Sequence, residues 1–256
     1  MAITVEDIEK IMLKHARKVV REATRLRERG ISYRVLIKEY KPMWERELFS
    51  LLRSVLGEVA LLGKDSGFIG ERGSEWVCIC DLFDGSLNFM SGLKYYAYSA
   101  ALVKKGEIVY ALVVDLDDMT YYRAERGKGA YYVAGKRVKE LKEIALKVPA
   151  NYQVVATNVA LKNVHSVELR CTALELCALA RGAAEIGIGS TWTPDFAAGF
   201  LIAQESGLSF VNWEFRPMES VPIEYEKVRY VCGTSKALKE LSSRVRSISD
   251  IIVEVY

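Results

Sequence analysis

With 256 residues, 50% of them hydrophobic and 27% charged, the chain has an ordinary globular composition and enough apolar mass for a sizeable core. Its formal charge of +3 is scattered along the sequence, which argues against a nucleic-acid partner. No apolar run is long enough to span a bilayer and the N-terminal segment lacks a signal-peptide core, so no membrane partner and a cytoplasmic location are expected.

Residues Val5 to Arg29 carry Ile8, Ile11, Met12, Ala16, Val19, Val20, Ala23 and Leu26 at helical spacing, with Thr4 placed to cap the start and Gly30 the end. A second helix is predicted from about Trp44 to Leu56, after Pro42. The period then changes to that of strands in WVCIC, YYAYSAALVKK, EIVYALVVDL, TYYRAERG and GAYYVAG, and the short turns between them predict an antiparallel meander. The densest basic run, RGKGAYYVAGKRVK, falls in this hairpin region and reads as a solvated edge. Beyond Pro149 strands and helices alternate: YQVVATN as a strand, TALELCALARG as a helix closed by Gly182, and DFAAGFLIAQESG as a helix capped by Asp195 and ended by Gly207. LSFVNW and VRYVCG follow as strands and SKALKELSSRVRSI as a terminal helix. The pattern predicts a layered α/β sandwich with a lobe boundary near Pro149, giving an α+β lobe over 1–149 and an α/β lobe over 150–256.

The five cysteines, Cys78, Cys80, Cys171, Cys177 and Cys232, lack zinc-site spacing and are expected to be buried, reduced thiols. His15 and His165 are the two histidines, and neither sits in a nucleophile motif.

The stretch WVCICDLFDGSLNF carries the chemistry. An apolar strand ends at Asp81, Asp84 follows three residues later, and Gly85-Ser86 opens a short helix. Two neighbouring carboxylates left unpaired raise at least one pKa, and a divalent cation removes that conflict. Hard oxygen donors suit Mg²⁺, which favours carboxylates, waters and substrate phosphate. A glycine-led helix start offers free N–H groups to a phosphate. The same residues also make good turn chemistry, with Ser86 as a helix cap, and Asp195 is equally a natural helix cap.

Three segments together, FIGERGSEW, DLFDGSLNF and TPDFAAGFLIAQESG, resemble the inositol monophosphatase superfamily of Mg²⁺-dependent sugar phosphatases, in its archaeal branch. The hairpin YYRAERGKGAYYVAGKRV and the helix TALELCALARG extend the resemblance in the right order over most of the chain. It implies an αβαβα sandwich with a mixed sheet in the C-terminal lobe, which closes a metal site carried by the N-terminal lobe. It implies Glu71, Asp81, Asp84 and Asp195 as ligands of Mg²⁺, two or more ions per site with Mn²⁺ as a substitute, together with the Phe83 carbonyl. Gly85 and Ser86 would bind phosphate, Ser86 and Glu71 would orient the attacking water, and Asp195 would also face the substrate. The implied reaction is hydrolysis of a small sugar or polyol phosphate, fructose 1,6-bisphosphate or inositol 1-phosphate, by direct attack of water; a homodimer is implied as well.

The sequence departs from the family pattern at several places. Leu82 replaces a proline and Arg72 a second glutamate. An aspartate expected near Met43 or Trp44 is missing; Glu45 or Glu47 could substitute, although Glu47 matches the helix glutamate that follows. Cys171 stands where a hydroxyl residue is usual, and GIGSTWTPD lacks an acidic ring contact. These departures motivate an alternative, a family member with weak or lost catalysis that binds a ligand or partner. A 3′-phosphonucleotide phosphatase and a Rossmann-type enzyme fit less well, the latter because no G-x-G-x-x-G follows a strand.

Overall fold

The structure is a computed structural model that describes residues 4–144, 154–162, 164 and 166–255. The expected boundary at Pro149 and the residue His165 lie outside the described residues.

Helix α1 (Val5–Glu28) starts in a capping box, in which the Thr4 side chain accepts from the Asp7 N–H and Asp7 reaches back to Thr4. After a single turn, α2 (Tyr33–Val35), and a π-helical segment (Leu36–Tyr40), helix α3 (Lys41–Leu56) begins with Pro42 in its first turn and ends at Gly57, whose φ is 75°. It therefore starts three residues earlier than the sequence suggests.

Eight strands follow in one sheet: β1 (Val59–Gly63), β2 (Gly67–Ile69), β3 (Trp76–Asp84), β4 (Ala97–Lys104), β5 (Glu107–Asp115), β6 (Tyr121–Glu125), β7 (Ala130–Ala134) and β8 (Arg137–Glu140), in the order β2-β1-β3-β4-β5-β6-β7-β8. From β3 to β8 this is the expected antiparallel meander. The edge departs from it, because β1 lies parallel to β3. A short helix, α4 (Ser86–Met90), follows β3, and α5 (Leu141–Ile144) follows β8.

The remaining strands are β9 (Val154–Thr157), β10 (Val159–Leu161), β11 (Ser166–Val167), β12 (Ile186–Trp192), β13 (Ser209–Val211), β14 (Lys227–Gly233) and β15 (Ile252–Val255). Five of them form a mixed sheet in the order β11-β9-β12-β14-β13, while β10 and β15 pair separately. Helices α6 (Thr172–Ala180), α7 (Thr193–Glu205) and α8 (Ser235–Arg244) complete the chain.

The layers run as α1 and α3, the large sheet, α6 and α7, the five-stranded sheet, and α8. This is the αβαβα order, and it explains why β3 is apolar on both faces. Cys78, Cys80 and Leu82 face the α1/α3 side, while Val77 and Ile79 face α6 and α7. Helix α7 lies between two sheets, so it is apolar all round rather than along one stripe. Gly199 permits its close approach to α6, since a Cβ there would lie 2.7 Å from that of Leu176. All five cysteines are buried and free, as expected. Among the described residues no helix is long and apolar enough to cross a membrane.

Candidate functional site

Strand register builds the site. β1 and β3 run side by side with Gly63 opposite Cys80, and the Lys64 N–H continues the ladder to the Cys80 carbonyl at 3.0 Å. Ala60 and Leu62 on β1, and Val77 and Ile79 on β3, face α7. Lys64 and Asp81 are the next members of those alternating series, so both side chains emerge on the α7 face.

Asp84 is three residues beyond Asp81, and a regular strand would turn it to the opposite face. A bulge prevents this. Asp81 pairs with Ser99 but Asp84 with Ala97, so three steps along β3 match two along β4 and the extra residue restores Asp84 to the Asp81 face. Gly85 then turns the chain with φ 74°, where a Cβ would lie 2.6 Å from the Tyr95 carbonyl oxygen; only glycine fits both demands. Ser86 is buried at the start of α4.

Asp195 approaches from the opposite layer. It is not the helix cap expected from sequence: α7 starts two residues earlier at Thr193, and the Thr193 N–H bonds instead to the Glu226 carbonyl at 3.0 Å. Its carboxylate is thereby released to face the strands. Asp195 Oδ2 accepts from Lys64 Nζ and from the Thr191 hydroxyl at 3.1 Å, while Oδ1 is buried without a hydrogen-bond partner. Carboxylate oxygens of Asp81, Asp84 and Asp195 lie within 4.8 Å of one another. They open into a cavity of about 310 Å³ whose wall also carries Lys41, Lys64, Asp65, Gly85, Ser86 and Arg170.

Protein donors hold the triad in place. Asp81 Oδ1 takes the Phe83 N–H at 2.9 Å and Lys41 Nζ at 3.1 Å, and Asp84 Oδ2 takes the Ala173 N–H of α6 at 2.9 Å. Lys41 also pairs with Asp65 Oδ2 at 2.9 Å. Behind this layer, fully buried Glu45 accepts from the backbone N–H groups of Asp65 and Ser66 and fixes their turn.

The charges respond to burial and to each other. Burial pushes the Asp84 carboxyl well above the usual carboxylate range, and the neighbouring Asp195 and Asp81 push it further. Asp195 is pushed up to about 6 by burial, with Lys64 working against the shift. Burial acts in the same sense on Asp81, but the Lys41 and Lys64 ammonium groups outweigh it and hold that carboxyl below its ordinary value. Glu45 is pushed up to about 7 by burial. For Lys41 and Lys64, burial favours the neutral amine, but the facing aspartates prevail and raise both pKa values.

Three of the four acidic residues expected to gather do so; Glu71 does not. β2 runs antiparallel to β1 with Ile69 opposite Leu61, so the chain beyond Ile69 returns toward Val59, and Gly70 lies against Val59 and Ala60. Val59 is opposite Trp76, at the far end of β3 from Asp81, about 17 Å of strand away at the usual rise per residue. Glu71 is exposed there, with its carbonyl closing a turn onto Ser74. The expectation of Glu71 as a ligand and water-orienting residue is corrected on that ground. Phe83 donates its N–H to Asp81, and its ring packs against Trp44, Phe89 and Tyr96.

Residues 4–250 match the model of the inositol monophosphatase family. The chain belongs to the inositol monophosphatase family. A fructose-1,6-bisphosphatase of Pyrococcus furiosus is 32% identical over 154 residues, covering 58% of this chain and 60% of that protein. The chain thus spans about three fifths of the first such relatives it matches. A Nus factor SuhB of Pseudomonas aeruginosa is 27% identical over 223 residues, 79% of each chain. In fold, an inositol monophosphatase II of Staphylococcus aureus superposes with a TM-score of 0.78 at 18% identity, over 95% of this chain and 94% of that one.

Within this family frame, sequence reasoning missed Lys41, Lys64 and Asp65. Their signal was present but unread: VALLGKDSG is a short apolar run ended by a charged pair, and the run is the parallel neighbour of the aspartate strand. Glu45, considered as a substitute for an absent aspartate, does reach the layer behind the triad, whereas Glu47 turns away to pair with Lys18.

Proposed function

We propose that the chain is a metal-dependent phosphomonoesterase acting on a small phosphorylated sugar or polyol, with fructose 1,6-bisphosphate and inositol 1-phosphate as the first candidates. The observation that carries the reading is the convergence of Asp81, Asp84 and Asp195 on the wall of a cavity whose other charged groups are largely cationic. The volume, about 310 Å³, lies at the lower end of small-molecule sites. The names of relatives and the family assignment point the same way.

The donor set fits a hard divalent cation of the Mg²⁺ or Mn²⁺ type: three carboxylates, one with an unpartnered buried oxygen. Such an ion supplies Lewis-acid polarisation of a phosphoryl oxygen. The chain's own groups do the rest. Lys64 carries positive charge toward a bound phosphate ester, and Gly85 and Ser86 contact it on the resemblance to the family. Burial holds Asp84 and Asp195 above the ordinary carboxylate range, and positive charge entering between them would favour their ionised forms. The homodimer, the cytoplasmic location and the division into lobes at 1–149 and 150–256 belong to the same proposal.

Phosphate release from the two candidate esters and a phosphomonoester panel, with and without Mg²⁺ or Mn²⁺, tests the proposal. Cation-dependent turnover is expected, and its absence across the whole panel defeats it. A second reading has its own support: Lys41 already pairs with Asp65 and Asp81 and Lys64 with Asp195, and Glu71 is remote. A family member that binds ligand or partner with little catalysis would show tight ester binding without turnover.

A further inference from the structure

A buried lysine, Lys41, and a half-buried one, Lys64, in a carboxylate cluster need an explanation. Lysine is almost never buried unless paired, and its flexible chain loses up to about 2 kcal/mol of rotamer freedom on ordering. Lys41 is nevertheless held between Asp65 and Asp81, with 6% of its side chain exposed. Lys64 is held on Asp195, where strand alternation delivers it beside Asp81.

The formal charges of the cavity wall make the point. Asp65, Asp81, Asp84 and Asp195 contribute −4 and the two ammonium groups +2; Arg170, also on the wall, pairs at 2.9 Å with Glu168, which lies outside the wall and cancels it. The remainder, −2, is the charge that one divalent ion balances. A further carboxylate oxygen, Asp195 Oδ1, is buried without a partner and marks where the positive charge is missing. On the opposite side of the same carboxylate, Oδ2 is already occupied by Lys64 and Thr191. One side of Asp195 is therefore open to an ion while the other is closed by an ammonium group.

We propose that the site takes a single divalent cation, held by Asp81, Asp84 and Asp195, and that the Lys64 ammonium, buttressed by Lys41, supplies to a bound phosphate the positive charge that a second ion would bring. This rests on the phosphomonoesterase reading. An ammonium neutralises phosphate charge and donates hydrogen bonds, but it has no vacant coordination position for a water. Lys64 is thus a binding and positioning residue.

The test counts ions. Mn²⁺ is titrated calorimetrically into the full chain in the presence of inorganic phosphate, and phosphate release is assayed on a phosphate-free aliquot of the same sample. One ion per wild-type chain is expected, with a Hill coefficient of 1 for cation dependence. Lys64→Glu, checked for folding by circular dichroism, is expected to bind two. Lys64→Met is expected to weaken inorganic phosphate about tenfold at saturating Mn²⁺, the worth of one charge-assisted hydrogen bond. Two or more ions in the wild type overturn the inference, and intact turnover in that sample leaves the phosphomonoesterase reading standing. A folded Lys64→Glu chain that still binds one ion also overturns it. No ion in the wild type overturns it too, and the turnover assay then decides whether the broader reading falls with it. The wild-type count is decisive even where a variant does not fold.

Discussion

Asp84 shows how a single side chain is held against its own preference. Burial and the neighbouring aspartates push its carboxyl well above the ordinary range, so ionisation there costs folding free energy. Its Oδ2 also anchors the Ala173 N–H, and an amide oxygen in Asp84→Asn can do the same. The variant is therefore expected to unfold at higher denaturant than wild type when metal is chelated, while turnover falls about a hundredfold or more, as for loss of one transition-state contact. A variant that is less stable in chelator, or as active as wild type, contradicts the role given to Asp84. His15, which does not line the pocket, makes a cleaner pH prediction. It is buried in α1 against the Tyr98 hydroxyl, with Glu47, Glu22 and Lys18 around it, and burial lowers its pKa to about 4 from an ordinary 6.5. The unfolded chain binds the proton first, so the stability His15 permits is complete above pH 6.5 and is lost as pH falls toward 4. The full loss is about 3 kcal/mol at 1.36 kcal/mol per pKa unit. Denaturant melts at pH 7.5 and pH 5 should show wild type losing more stability than His15→Gln; equal losses would refute the assignment.

At the scale of elements, strand register decides what sequence spacing leaves open. The pair Asp81 and Asp84 was legible as a motif, but its shared face was not, because a three-residue step on a regular strand separates faces and only the bulge against β4 reunites them. Glu71 was misplaced for the related reason that β1 and β2 went unread: a five-residue apolar strand and a three-residue one have too little period to register, and the hairpin between them carries Glu71 away from the site while delivering Lys64 and Asp65 into it. β12 was missed because IGIGSTW has glycines where a strand is expected to show branched residues. The structure gives those glycines a cause. A Cβ on Gly189 would meet the Tyr230 ring at 2.7 Å and the Thr157 Cβ at 2.8 Å, and Tyr230 is fully buried with its hydroxyl bonded to Thr157. Gly189→Ala is expected to cost about 1–3 kcal/mol, the usual range for overpacking, read from the denaturation midpoint. A neutral result would mean that β12 is free to shift away from β9 and β14.

Across the whole molecule, the long-period features were legible: α1 and its cap, the meander from β3 to β8, and the alternation that follows Pro149. What no local pattern conveys is that α7 is the shared inner layer, packed on the large sheet on one side and the five-stranded sheet on the other. That placement makes Asp195 a contribution from one layer to a pocket whose other two aspartates come from the next. A cation bound by all three ties β3 to α7, and Asp84 in turn holds the start of α6. Binding then stabilises the global fold rather than one loop, since unfolding of either layer dismantles the site. At a hundredfold excess over Kd the linkage amounts to about 2.7 kcal/mol, which for a chain of this size is several degrees in Tm. Mg²⁺ or Mn²⁺ should therefore raise the melting temperature of the wild type in a single cooperative transition, chelator should reverse it, and the shift should shrink in Asp84→Asn and in Asp195→Asn alike. A shift that persists in both variants would locate the stabilising ion elsewhere. A wild-type melt indifferent to either cation would mean that Lys41 and Lys64 already satisfy the cluster without one.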